Sequence, residues 1–304
     1  MDRLQSMRVF AKVVEQGSFA RAAQAMDMSN AVVTRHVADL EEHLGTRLLN
    51  RTTRKLSLTE TGNAYLERVL QILQEIEDAE AIASAHSTKP TGTLRIYSHV
   101  GFGQMQLGQL LPEYAAAYPE VILDVTLHDR SMDLVEDGYD IGIFINLQKF
   151  DASMIARQLA VAGIVLCASP EYVKRNGHPR SVEDIARHAC LNFSYEQVRH
   201  HWPFIKPDGS TVQIPINGKV LSNSGALLRQ CALAGMGMMV LPSFALGDDL
   251  SSGRLVRLMP KMPLQQLRVV MVYPSRKLLS AKVRSFVDFM AKKFPRPDSD
   301  PWLK

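Results

Sequence analysis

From about Thr59 to Ser87 the chain carries a helical seam too long for a small domain to bury. Leu66, Val69, Leu73, Ile76 and Ala83 fall at the alternating three- and four-residue steps of a heptad, with Glu80 breaking one position. Roughly 28 residues rising about 1.5 Å each span about 42 Å. The simplest partner for such a stripe is a second copy of the same helix, which predicts a dimer. Ser57-Leu-Thr-Glu60 has capping-box spacing, so Ser57 or Thr59 starts the helix. Ser87-Thr-Lys-Pro90-Thr-Gly92 ends it with turn chemistry and marks the clearest boundary in the chain.

Before this helix the pattern is short and helical. Leu4, Met7, Phe10 and Val14 give residues 2–16 one apolar face, and Gly17 stops the run. Ser18 caps a second helix, about Phe19 to Met26, and Asp27-Met28 makes a turn. Ser29 caps a third that ends at Gly45, with Val33, Val37, Leu40 and Leu44 as its expected buried stripe. Its opposite leading face holds Asn30, Ala31, Thr34, Arg35 and Ala38, and the acids Asp39, Glu41 and Glu42 come only later. A helix entering a major groove needs small or hydrogen-bonding groups at its leading end, with negative charge kept from phosphate. Thr46 to Leu58 then carries Arg47, Arg51, Arg54 and Lys55 against no acid. Lys55 to Leu58 alternates like a strand, as in a basic wing that neutralises phosphates beside a reading helix.

After the boundary the period changes. Strands are expected at Thr93–Ser98, Val121–Leu127, Tyr139–Ile145, Ile164–Ala168, Met238–Leu241 and Arg268–Tyr273. Helices are expected at Gly103–Tyr118 (with Pro112 near its middle), Met132–Glu136, from Ser-Pro-Glu at 169, at Ser224–Ala234 and at Ser280–Phe294. Alternation of this kind predicts an α/β sheet that binds ligands at strand ends, and about 210 residues of it suggest two lobes.

Composition bounds the function class. With 46% hydrophobic and 22% charged residues the chain is ordinary for a globular protein, and its net charge of +4 is too small to identify a partner without the local clustering above. Cys167, Cys190 and Cys231 are odd in number and widely spaced, as expected of free thiols in a reducing compartment. No zinc spacing, secretory leader or long apolar run is present, so the expectation is a cytoplasmic protein with no metal, no cofactor and no membrane partner. Gly235-Met-Gly237 lies between a helix and a strand, the reverse of a dinucleotide loop, and reads as a helix cap and turn. No Gly-x-Ser-x-Gly or His-Glu-x-x-His motif occurs, so no catalytic residues are expected.

The stretch SFARAAQAMDMSNAVVTRHVADLEEHLGTRLLNRTTRKLSLTETG resembles the winged helix-turn-helix of the LysR-type transcriptional regulators. LEEHLGTRLLNRTTR followed by LSLTETG is its most specific fragment. Looser matches follow in order: LRI-YS, LP-YAAAYPEV, DL-EDGYDIGI, LCASPEYV, AGMGMMVLPSF and VRSFVDFM. The resemblance covers essentially the whole chain. It implies a tetramer that binds a partly palindromic site on double-stranded DNA, answers to a small-molecule effector and acts on RNA polymerase. The implied fold is an N-terminal winged helix-turn-helix (1–58), a linker and dimerisation helix with hinge (59–89), and a two-lobed effector domain (90–304). The last is like a type 2 periplasmic binding protein, with lobe I at about 90–161 and 268–304 and lobe II at about 162–267.

The implied DNA contacts are Thr34 and Arg35 to bases with Asn30 beside them, Ser29 at the helix start, and Arg51, Arg54 and Lys55 to phosphate or the minor groove. The implied effector contacts are Ser98 and His99 after the first strand, His128 after the second, Phe144 and Asn223. The family often has Pro where Ala31 stands and Ser where Thr34 stands; Thr34 keeps the hydroxyl. It commonly has Arg where Phe144 stands, so the cleft here is expected to be more apolar. His200-His201-Trp202 is left outside the expected site. A redox-sensing regulator, and a binding protein or enzyme on the same two-lobed fold, are the alternatives.

Overall fold

The computed structural model describes residues 2–51, 56–83, 89–130, 132–146, 153–205, 209–274 and 279–303. The chain divides into two compact units, Met1–Thr88 and Lys89–Lys304.

The first unit starts with α1 (Arg3–Gln16), α2 (Phe19–Ala25) and α3 (Asn30–Leu44), each begun by a side-chain cap. Asp2, Ser18 and Ser29 accept from the backbone N–H of Gln5, Arg21 and Val32. Gly17 and Gly45 end α1 and α3 in the left-handed region that glycine enters without strain. Val9, Phe10 and Val13 pack with Ala22, Ala23, Val33, Val37 and Leu40 in one core. Leu44, expected in that stripe, is the last residue of α3 and is 37% exposed.

β1 (Leu49–Arg51) and β2 (Leu56–Leu58) form an antiparallel hairpin pairing Leu49 with Leu58. Glu41 Oε1 holds it to α3 by accepting from Leu48 N (2.8 Å) and Leu49 N (3.0 Å). α4 (Glu60–Ala83) follows, and its cap is Thr59: Thr59 Oγ1 accepts from Gly62 N at 2.8 Å. Ser57 is not the cap, because it is committed to β2 opposite Asn50. A Cβ on Gly62 would lie 2.0 Å from Leu48 O, so only glycine lets the helix start this close to the hairpin. Val69 is buried in the seam and Leu66, Leu73 and Ile76 are half-buried; residues 84–88 of the expected helix lie outside the described residues.

The second unit is built on nine described strands in one sheet. β3 (Gly92–Ser98) leads into the segment expected as a helix from Gly103 to Tyr118, with Pro112 marking a kink. It is instead α5 (Val100–Phe102), a π-helical turn (Gly103–Leu107) and α6 (Gly108–Ala117), the irregular turn lying just before Pro112, which cannot donate to Gly108 O. β4 (Val121–Leu127) follows. Met132–Glu136, expected as a helix, is a series of turns. Asp133 Oδ1 accepts from Val135 N and Glu136 N, and Gly138 at φ 72° ends the turn at once.

β5 (Ile141–Ile145) precedes β6 (Met154–Ala168), of which only the last third was expected. α7 (Pro170–Asn176) is capped by Ser169. Then come β7 (Ala189–Phe193), the hairpin β8 (His201–Ile205) and β9 (Thr211–Pro215), and β10 (Asn217–Ser222). None of these four strands was anticipated: they are short, and their polar insertions hide the period. α8 (Gly225–Leu233), β11 (Met238–Pro242), β12 (Val256–Arg257), β13 (Gln266–Pro274) and α9 (Ala281–Lys293) complete the unit.

The strand order is β10-β7-β11-β6-β13-β5-β3-β4, with β12 on β6. β6 is the shared strand: up to Gly163 it pairs with β13, and from Ile164 to Cys167 with β11. On one side β3, β4 and β5 run parallel, and on the other β7, β10 and β11 do. Each parallel set delivers its carboxyl-end loops to one edge, which is where such sheets bind ligands.

The C-terminal segment crosses this shared strand. Ser299 O accepts from Val161 N (3.1 Å), and Asp300 Oδ2 accepts from Gly163 N (2.7 Å) and Ser243 Oγ (2.8 Å). Trp302 packs edge-on against Phe102 and Phe244, and its Nε1 donates to Gln106 Oε1 at 2.7 Å.

Candidate nucleic-acid interface and ligand cavity

The exposed face of α3 is what capping and burial leave over. Val33, Val37 and Leu40 turn into the core, so Asn30, Ala31 and Arg35 face solvent with Thr34 half-exposed beside them. Ser29 Oγ holds the first turn by accepting from Val32 N at 3.3 Å. Thr34 Oγ1 donates to Asn30 O at 2.8 Å, which fixes its hydroxyl and leaves its lone pairs outward. The Arg35 side chain is 83% exposed, and its closest acid, Asp39, is 3.9 Å away one turn later. A surface pair of that length holds an arginine weakly and releases it to a better acceptor. Small polar groups, an exposed and weakly held guanidinium and the positive end of a helix therefore share one face. His36 is elsewhere: Ser6 Oγ lies 2.9 Å from its Nδ1, tying α3 to α1.

Arg51 belongs to β1 by its backbone, and Arg54 and Lys55 lie outside the described residues.

In the second unit the two sets of carboxyl-end loops enclose a cavity of about 570 Å³. Of the residues expected to hold a ligand, His99, His128, Phe144 and Asn223 line it. Ser98 does not. It is fully buried, its Oγ donates to His99 O at 3.2 Å, and the strand alternation that gives Tyr97 to the cavity turns Ser98 away.

The polar corner is organised by Asp129, which sequence reasoning passed over beside His128. Asp129 Oδ1 accepts from Val100 N at 2.9 Å and lies 3.4 Å from His99 Nε2. His99 Nδ1 accepts from Gly101 N (3.2 Å), so the ring proton sits on Nε2 and points at the carboxylate. Burial holds His99 below the usual histidine range, with Asp129 pulling the other way, and the ring is neutral near pH 7. Across the cavity, the Tyr195 hydroxyl lies 3.4 Å from Asp129 Oδ2 and 3.3 Å from Asn223 O. His128 is pinned through its Nδ1, which accepts from Arg130 N at 2.9 Å.

The rest of the wall is aromatic. Tyr97, Phe144, Phe193, Tyr195, Trp202 and Phe244 line it. Phe193 and Tyr195 stack at 5.5 Å and 14°. Trp202 is fully buried and donates from Nε1 to Asn192 Oδ1 at 2.8 Å. Phe144 was expected here; Phe193 and Trp202 were missed because β7 and β8, which carry them, were not recognised. The His200-His201-Trp202 cluster was the one available signal.

Cys167 and Cys190 are buried and their thiols are pushed up to about 12, both by burial, so they stay protonated. Cys231 is half-buried, and all three are free. Among the described residues no cluster of metal-binding side chains occurs, and no helix is long and apolar enough to cross a membrane.

Two family models match the chain. The bacterial regulatory helix-turn-helix protein of the lysR family matches residues 4–63, and the LysR substrate binding domain matches residues 87–295. An HTH-type transcriptional regulator of Haemophilus influenzae is 34% identical over 283 residues, 93% of this chain and 98% of its own length. An HTH-type transcriptional repressor of Pseudomonas aeruginosa is 36% identical over 299 residues, 97% and 93% of the two chains. The solved structure of CrgA, a LysR-type transcriptional regulator from Neisseria meningitidis, superposes with a TM-score of 0.62 at 33% identity, covering 96% of this chain and 99% of that one.

Proposed function

This chain belongs to the LysR family of transcriptional regulators, with a helix-turn-helix unit and an effector-binding unit, and from that premise we propose how the labour is divided among its residues. Thr34 and Arg35 read base edges, with Asn30 beside them. Ser29, Arg51, Arg54 and Lys55 hold phosphates. The observation that carries this is the solvent face of α3: a capped helix start, a hydroxyl, an exposed guanidinium and no acid before Asp39. Arginine bonds a guanine edge through two hydrogen bonds, worth about 1–3 kcal/mol of discrimination.

The segment 59–89 is the linker through which two chains pair, and two pairs make a tetramer on a partly palindromic site. Its support is the seam of Leu66, Val69, Leu73 and Ile76 on α4. The effector lies in the cleft between the β3–β5 side and the β7–β11 side, against His99, His128, Phe144 and Asn223. Bound ligand favours one arrangement of the two sides, and so changes DNA bending and the access of RNA polymerase. The protein works in the cytoplasm and performs no catalysis. A redox-sensing role has less support, since two of the three thiols are buried and protonated.

The test separates positioning from reading. The salt dependence of DNA affinity is measured for the full chain and for Arg51→Ala and Arg35→Ala. Arg51→Ala should weaken binding to every sequence and lower the salt slope by about one. Arg35→Ala should change which sequence is preferred. An Arg51→Ala slope equal to that of the wild type would overturn the phosphate assignment.

A further inference from the structure

The cleft has an aromatic body and a polar corner short of hydrogen-bond donors. One proton on Tyr195 Oη faces two acceptors, Asp129 Oδ2 at 3.4 Å and Asn223 O at 3.3 Å. A hydroxyl donates once, so one of these acceptors is always left for another donor. Several donors around it are already engaged, and Asp129, Tyr195 and Asn223 are open to solvent that a ligand in this corner would displace. The Val100 N–H and the His99 Nε2–H are directed at Asp129 Oδ1, and the Tyr97 hydroxyl is spent on the carbonyls of His128 and Arg130, 2.7 Å from each. Trp202 Nε1 is spent on Asn192, whose own amide donates to Val198 O and Arg199 O.

A carboxylate entering this corner would meet the Asp129 carboxylate where the cleft presents acceptors, and two like charges this close oppose each other. Among the described lining residues, Arg130 is the one cation to oppose it, and it is exposed at the mouth. Six aromatic side chains line the cleft, while aromatic residues make up 7% of the chain, so the wall favours a flat ring.

We propose that the effector is an uncharged aromatic that donates a hydrogen bond, a phenol or an arylamine, and not a carboxylate. Its ring lies against Phe193, Tyr195 and Phe144, and its O–H or N–H completes the set at Asp129 and Asn223. This rests on the reading of the cleft as the effector site. It goes further by naming the chemistry that the cleft selects.

The experiment is calorimetric titration of the full chain with phenol, aniline, benzoate and succinate, repeated on Asp129→Asn, Phe193→Leu and Arg130→Ala. Phenol or aniline should bind saturably and about tenfold or more tighter than benzoate, because an acceptor-rich corner with a carboxylate of its own takes a hydrogen-bond donor and opposes a like charge. Phe193→Leu should weaken both aromatics. Asp129→Asn should narrow the gap between phenol and benzoate, and Arg130→Ala should leave phenol unchanged. Benzoate or succinate binding more tightly than phenol, with the binding lost in Arg130→Ala, overturns the proposal using Arg130→Ala, whose side chain is exposed and whose loss spares the fold. Absence of saturable binding by both phenol and aniline to the folded wild-type chain also overturns it. Neither result touches the reading of the chain as a DNA-binding regulator, which fails only if the protein selects no DNA sequence.

Discussion

Single residues in this chain are held by neighbours that sequence alone could not supply. His188 is buried, its Nδ1 lies 3.1 Å from the Tyr172 hydroxyl, and burial lowers its pKa while Asp184 pulls it up. The folded state therefore takes up this proton later than the unfolded state does. As pH falls through about 6.5, the unfolded chain binds it first and folding loses stability, a loss absent above that value. His188→Gln should lose less stability than the wild type between pH 7.5 and 5.5, as read by urea midpoints at the two values. An equal loss would mean that His188 carries no such linkage. The exposure of Arg35 and the half-exposure of Thr34 were legible without coordinates, because exposure on a capped amphipathic helix follows from its period. Ser98 was misread and Asp129 overlooked for one reason: a residue at a strand end faces the cleft or the core according to register, and register is a property of the neighbours.

At the scale of elements, the sequence was most informative where caps and period agree. α1 to α3 and α8 carry Ser, Asp or Gly at their ends and appear within a residue or two of their expected bounds. It was least informative for β6, whose first two thirds alternate only partly in burial, and for β7 to β10, whose places depend on pairing with distant strands. The C-terminal strap is another feature settled by contacts. It lies beyond residue 295, where the effector-domain match stops, and ties β6, Phe244 and the π-helical turn together. Trp302→Ala should lower stability by up to about 3 kcal/mol, since Trp→Ala in a full core costs about 3–5 and this side chain is only half-buried; a denaturant midpoint shift reads it, and no shift would make the strap dispensable. On α4, Leu73→Glu should convert the protein to smaller species in sedimentation and reduce affinity for a full site, because a buried charge in a helical seam has no partner. An unchanged oligomer would locate pairing elsewhere.

The whole molecule combines two units that solve different problems. The first exposes a helix face that its own core does not use, and fixes the wing beside it through Glu41, Thr59 and the close approach at Gly62. The second threads one long strand through two half-sheets, so the loops of both meet around one cavity. A fold of this kind can couple ligand to shape, since a ligand in that cavity would touch both halves. Most of this plan was legible in the break at Ser87 to Gly92 and the change of period after it. The aromatic wall of the cavity was not, because it gathers residues far apart in sequence.

The central claim is that α3 reads DNA and that Arg35 is among its reading residues. Selection of bound sequences from a random duplex library by the full chain, repeated with Arg35→Ala, tests it most directly. The account predicts that the wild type enriches a partly palindromic motif and that Arg35→Ala relaxes or changes the preference at a defined position in each half. A wild-type pool without enrichment, or an identical motif from both proteins, would contradict it.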